Sequence, residues 1–207
     1  MQTYRALLIG NGEKISSRLL KQLAAQADYI LAADGGAEQS LACGVTPDGV
    51  IGDLDSLSNC IQKQLADRIV RVPTQENTDL EKALRWLIKH HFTHVTLVGF
   101  VGNRWDFSIG TLLTLARFAR KLDMCVVSDK WRLFPRIHGG TFGCQKNKRV
   151  SIIPLKTCSD VTLTGLKYPL KKAQIKPGTT RTLSNQTRGT RFSVSFTRGC
   201  LLVYQEN

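Results

Sequence analysis

The residues best equipped for chemistry are Gly52-Asp53-Leu54-Asp55-Ser56. Two carboxylates one residue apart, with glycine before and serine after, make poor core material and a good cation site. Val50 and Ile51 read as the end of a buried strand, so Asp53 and Asp55 fall where that strand opens into a loop. Open α/β sheets bind ligands at that edge. Hard cations such as Mg²⁺ take oxygen ligands and share them with substrate phosphates. The competing reading is a solvated turn in which Asp55 or Ser56 caps the next helix.

Further polar clusters recur at strand ends. Asp34-Gly35-Gly36-Ala37 stands between a strand and a helix, where backbone N–H groups can cradle phosphate; a plain tight turn is the alternative. Asp79 opens a helix whose dipole already favours an anion. Lys82, one turn on, stands beside Asp79 within reach of a phosphate or on a solvated face. Arg104 and Asp106 flank Trp105 in a glycine-rich loop. Arg suits bidentate phosphate recognition, and Asp106 is placed to orient it, to cap the next helix or to form a surface ion pair. His90, His91 and His94 lack further ligands at zinc spacing and read as a helix end.

The elements that must position these residues alternate. Apolar runs at residues 4–10, 28–33, 49–51, 69–72, 94–99 and 123–128 read as strands, with helical patterns between them. Ile15, Leu19, Leu20 and Leu23 share one helix face. Thr78 is a natural N-cap for a long helix reaching about His90, with Glu81 completing a capping box. Near-continuous apolar strands alternating with helices predict a doubly wound, mainly parallel sheet covered on both faces. After about residue 135 the period changes. Segments 149–155, 159–166, 191–197 and 199–205 are short and often alternating, which predicts a small all-β sandwich. The expected domains are 1–138 and 139–207, divided near Gly139-Gly140.

The chain has 207 residues and a net charge of +13. Up to residue 119 there are 12 Lys and Arg against 12 Asp and Glu; from residue 120 the count is 17 against 4. A basic half fits an anionic partner, including nucleotide. No apolar run is long enough to span a membrane, and the N-terminal stretch does not read as a signal peptide. Six cysteines without a CxxC pair fit reduced thiols in the cytoplasm.

Several of these motifs together, in order, resemble the thiamine pyrophosphokinase family. They are Asp34-Gly-Gly-Ala37, Gly52-Asp-Leu-Asp-Ser56, Gln75-Glu-Asn-Thr-Asp-Leu-Glu-Lys-Ala-Leu84, Gly102-Asn-Arg-Trp-Asp106, Gly165-Leu-Lys-Tyr-Pro-Leu170 and Ser184-Asn185. The resemblance implies transfer of a diphosphoryl group from ATP to thiamine. It also implies a homodimer whose active sites lie between the α/β domain of one subunit and the β domain of the other. Carried over, Asp53, Asp55 and Asp79 hold Mg²⁺, and Asp34 belongs to the same ATP site with Gly35 and Gly36. Lys82 and Arg104 bind polyphosphate and Asp106 supports Arg104. Gln75 and Thr78 face thiamine from one subunit, with Thr182, Ser184 and Asn185 from its partner. Asp79 and Asp34 are both candidates to accept the hydroxyl proton.

Phe107, Thr111 and Gln186 depart from the family pattern, which usually has His or Gln, Asn, and Glu there. Phe107 and Thr111 motivate a rival acceptor, another heterocyclic alcohol such as a pterin. A nucleic-acid-binding protein using the basic half ranks third, because acids at a sheet edge repel a phosphate backbone.

Overall fold

The computed structural model describes residues 4–207 except 54, 56, 73–75 and 103. Two compact units form, one of Met1–Thr114 with Lys121–Asp129 and one of Leu115–Arg120 with Lys130–Asn207.

The first unit alternates strands and helices: β1 (Arg5–Ile9), α1 (Ser17–Ala24), β2 (Tyr29–Ala33), α2 (Gly36–Ala42), β3 (Gly49–Gly52), α3 (Asn59–Gln64), β4 (Ile69–Arg71), α4 (Asp79–Lys89), β5 (His94–Val98), α5 (Trp105–Phe118, whose residues from Leu115 on belong to the second unit) and β6 (Asp123–Val127). All neighbouring strands are parallel, in the order β4-β3-β2-β1-β5-β6. In β1, Leu7 and Ile9 point to one face and pack with Ile15 and Leu20 beside and within α1. On the same face Ala32 and Val50 meet Ala37, Leu57 and Leu65. α4 contacts β2 and β3 from the other face, where Tyr29 stacks on Trp86 at 5.4 Å. Burial on both faces explains why the strands read as apolar runs rather than as alternation.

Winding runs outward from β1 to β4, then returns through α4 to β5 on the other side of β1. The loops after β1 and β5 therefore leave the sheet side by side, at the switch point where doubly wound sheets open a crevice. Backbone bonds zip them together beyond the strand ends: Gly10 N donates to Val98 O, Gly12 N to Gly99 O and Glu13 N to Val101 O.

The second unit is antiparallel: β7 (Trp131–Arg136), β8 (Gly140–Gly143), β9 (Arg149–Thr164), β10 (Leu170–Ile175), β11 (Asn185–Gln186), β12 (Arg191–Ser195) and β13 (Arg198–Glu206). The two segments expected at 149–155 and 159–166 are one long strand. Its first half pairs with β13 and its second half with β12 and β10, so β9 passes from one layer to the other. Val150, Ile152, Leu201 and Val203 meet Val161, Leu163, Phe192 and Val194 in the core between them, which is sandwich packing with a strand that turns the corner. β7 pairs along its length with β13, so this unit begins before the Gly139-Gly140 boundary expected from sequence. Among the described residues no helix is long and apolar enough to cross a membrane. None of the six cysteines forms a disulfide.

Candidate active site

At the carboxyl edge of the parallel sheet, each functional side chain is placed by a strand end or a helix start. Asp34 follows β2 in the left-handed region, with φ 44°. A non-glycine residue held there is strained and needs its surroundings to fix it. Its own backbone supplies the hold, since Asp34 N donates to Ile51 O at 2.9 Å and Ala37 N donates to Asp34 O at 3.0 Å. Gly36, just behind, is packed against the end of β1: a Cβ there would stand 2.2 Å from Ile9 O. Gly52 ends β3 under the acids, where a Cβ would lie 3.2 Å from Asp34 Cβ and 3.4 Å from Asp79 Oδ1.

This geometry gathers Asp34, Asp53 and Asp79, with one carboxylate oxygen of each within 4.8 Å of the others. The expected metal set was Asp53, Asp55 and Asp79. Asp55 is exposed and outside that group; its backbone N–H donates to Asp53 Oδ1 at 3.3 Å. Asp34 takes the third corner because its turned backbone aims the carboxylate across the end of β3. One oxygen of Asp34, Oδ1, is buried with no hydrogen-bond partner among the described residues. An unmatched buried carboxylate oxygen is costly, and a bound cation would satisfy it.

α4 begins at Asp79 with Thr78 as N-cap, its hydroxyl oxygen accepting from Glu81 N at 3.3 Å. Glu81 turns away to take Arg85 at 2.7 Å. Lys82 lies inside the fold, its side chain 3% exposed, and its Nζ donates to Asp79 Oδ1 at 2.8 Å.

A cavity of about 570 Å³ opens beside the acids, lined by Asp34, Gly35, Thr78, Asp79, Arg104 and Asp106 together with the Gly10–Gly12 and Gly99–Gly102 loops. Gly35 lines it and Gly36 does not. Arg104 forks onto Asp106 through Nε at 3.2 Å and Nη2 at 2.5 Å, and its guanidinium lies 4.1 Å from the centre of the Phe107 ring. The hydrogen bond from Arg104 holds the Asp106 carboxyl below the usual carboxylate range and in turn raises the guanidinium. Ser108 Oγ donates to Gly102 O or Arg104 O, and Thr111 Oγ1 donates to Phe100 O at 3.0 Å. Helix α5 thus carries the loop that presents Arg104. Sequence reasoning passed over the Gly10–Gly12 and Gly99–Gly102 backbones as lining; their signal was the Gly-Asn-Gly run after β1 and the glycine pair after β5.

In the β unit, Thr182 is buried and its Oγ1 donates to Ile152 O at 2.6 Å. Asn185 is buried too, accepting from Tyr168 N at 3.0 Å and donating to Tyr168 O at 2.7 Å. Of that expected wall only Ser184, at φ 52°, is exposed. Of the two thiamine contacts expected from the α/β unit, Thr78 lines the cavity and Gln75 lies outside the described residues. Of the three histidines, His90 stacks on Trp86 at 3.7 Å, His91 turns the helix end at φ 62°, and His94 Nε2 lies 3.7 Å from Asp123 Oδ2.

Comparison with known proteins agrees with this layout. The family model for the thiamin pyrophosphokinase catalytic domain matches residues 20–127. The model for the thiamin pyrophosphokinase vitamin B1 binding domain matches residues 140–201. The chain is similar to thiamine pyrophosphokinase of Bacillus subtilis, at 29% identity over 178 residues covering 82% of this chain and 83% of that one. It is also similar to thiamin pyrophosphokinase 1 of Caenorhabditis elegans, at 27% identity over 192 residues covering 85% and 79%. Among solved structures, thiamin pyrophosphokinase from Geobacillus thermodenitrificans matches with TM-score 0.85 at 25% identity, covering 98% of this chain and 97% of that one.

Proposed function

Because the chain belongs to the thiamin pyrophosphokinase family, we propose that it transfers a diphosphoryl group from ATP to the hydroxyl of thiamine, giving thiamine diphosphate and AMP. The observation that carries the reading is the acidic trio beside the Arg104 loop at the switch point of the sheet. The thiamine oxygen forms a bond to the β-phosphorus as the bond from that phosphorus to the α–β bridging oxygen breaks. AMP leaves, and the hydroxyl proton passes to a carboxylate of Asp34 or Asp79.

The residues fit a divalent cation, the unmatched Asp34 Oδ1 being the test. Asp34, Asp53 and Asp79 would hold Mg²⁺, with Asp55 at the rim; the ion would withdraw charge from the phosphates. Arg104, aimed by Asp106 and the Phe107 ring, would bind polyphosphate bidentately. Reaction of this kind is mostly positioning and charge neutralisation, which is what a rigid sheet edge supplies. Thr78, with Gln75 before it, would face thiamine from one protomer. Ser184 would do so from the partner, with Thr182 and Asn185 fastening the backbone that carries it.

A homodimer is supported by the apolar face of α5, where Trp105, Ile109 and Leu113 recur every four residues and are 83%, 55% and 57% exposed. A second copy would cover it. Cysteines without disulfides fit a cytoplasmic protein. Phe107 lies under the Arg104 guanidinium and Thr111 Oγ1 donates to Phe100 O, and both line the cavity, so the rival acceptor is decided by the test below.

The test is AMP release from Mg-ATP with and without thiamine. AMP and thiamine diphosphate in equal amounts support the reading. AMP formed only with a different heterocyclic alcohol would replace the substrate, and no AMP with any alcohol would overturn the reaction.

A further inference from the structure

Lysine is almost never fully buried unless paired, yet Lys82 is buried with a single polar partner among the described residues, Asp79 Oδ1. It does not line the cavity. Neither Asp34 nor Asp53 has a cationic partner among the described residues. Three carboxylates whose oxygens lie within 4.8 Å of one another therefore share one internal positive charge. Three like charges at this spacing repel strongly when partly withdrawn from water.

We infer that Lys82 is a positioning residue and the resident counter-cation of the acidic trio, not a ligand of the polyphosphate. The inference rests on the reading of Asp34, Asp53 and Asp79 as a cation site. Lys82 occupies one oxygen of Asp79, fixes that side chain on α4, and lowers the trio's charge from three negatives to two. The site thereby keeps its shape before any ion arrives and matches a divalent charge. Arg104, exposed in the cavity, is then the side chain left to meet the transferred phosphates. Removing the ammonium while keeping its apolar stem should make the ion bind more tightly and the ion-free protein less stable.

The experiment is Mn²⁺ titration of nucleotide-free wild type and Lys82→Met, followed by calorimetry and by the melting temperature with and without ion. The Lys82 charge is 3% exposed and so is screened less than a charge in water. Lys82→Met should therefore bind Mn²⁺ at least about tenfold more tightly than wild type and show a larger rise in melting temperature on ion addition. A variant that folds only when Mn²⁺ is present would support the proposal equally. Unchanged or weaker Mn²⁺ binding, with a raised KM for ATP, would overturn the proposal and return Lys82 to the polyphosphate. Failure to fold with and without ion would overturn it as well, since a counter-cation is replaceable by the ion. Absence of Mn²⁺ binding by wild type would instead refute the cation site itself.

Discussion

Replacing Asp79 by Asn should separate the two things this carboxylate does. The change removes one candidate cation ligand and leaves the buried Lys82 ammonium without a charged partner. Breaking a fully buried ion pair from one side costs about 3–5 kcal/mol. Asp79 is 31% exposed, Asn keeps an oxygen that accepts from Nζ, and neutralising Asp79 also relieves its repulsion with Asp34 and Asp53, so only about half of that cost, roughly 2 kcal/mol, applies. For a chain of this size each kcal/mol moves the melting temperature by about 2–4 °C, which gives a fall of roughly 4–8 °C. Asp53→Asn is the control. Among the described residues Asp53 neighbours two other acids and pairs with no lysine, so its neutralisation relieves repulsion and should leave the melting temperature unchanged or higher. Both variants should lose thiamine-dependent AMP formation by orders of magnitude. The assay is thermal melting in chelator-containing buffer beside AMP release. A melting temperature for Asp79→Asn within 1 °C of wild type (about 0.5 kcal/mol), or an equal fall for Asp53→Asn, would refute the reasoning.

Arg104→Lys keeps the charge but loses the fork onto Asp106 and the stacking on Phe107; steady-state kinetics should show a KM for ATP raised about tenfold or more with the fold intact. Gly36→Ala drives a Cβ to 2.2 Å from Ile9 O, a backbone atom that cannot move aside, and should destabilise by about 2–4 kcal/mol in urea titration. Burial raises the thiols of Cys158 and Cys200, so their thiolate fraction at neutral pH falls, whereas Cys60 is exposed. Timed maleimide labelling with peptide mapping should modify Cys60 first, and Cys158 and Cys200 only on unfolding.

How much was legible beforehand follows from what each signal depends on. Strands buried on both faces declare themselves by composition, so Leu7–Ile9, Leu31–Ala33 and Val50–Ile51 were readable, and with them the sheet edge where the acids stand. Thr78 was readable as an N-cap because capping is local. Asp34's place in the trio was not, since it depends on one residue turning to positive φ. The direction of Lys82 was equally hidden: i, i+3 spacing puts it beside Asp79 but does not say whether Nζ ends inside the fold or in solvent. Thr182 and Asn185 were expected to face thiamine because the family resemblance places them there; a motif fixes position in the chain but not the direction of a side chain, and both spend theirs on backbone groups. β9 read as two strands, 149–155 and 159–166, because Lys156 and Thr157 interrupt its apolar run, just before the point where Asp160 sits at φ 57° and pairing changes from β13 to β12 and β10.

The central claim is attack on the β-phosphorus of ATP by the hydroxyl of thiamine. The most direct measurement is a single turnover with excess enzyme, thiamine and ATP labelled at the β-phosphorus, resolved by chromatography. The account expects the label in thiamine diphosphate, with unlabelled AMP formed at the same rate. Label retained in the nucleotide as ADP, with thiamine carrying a single phosphate, would contradict it.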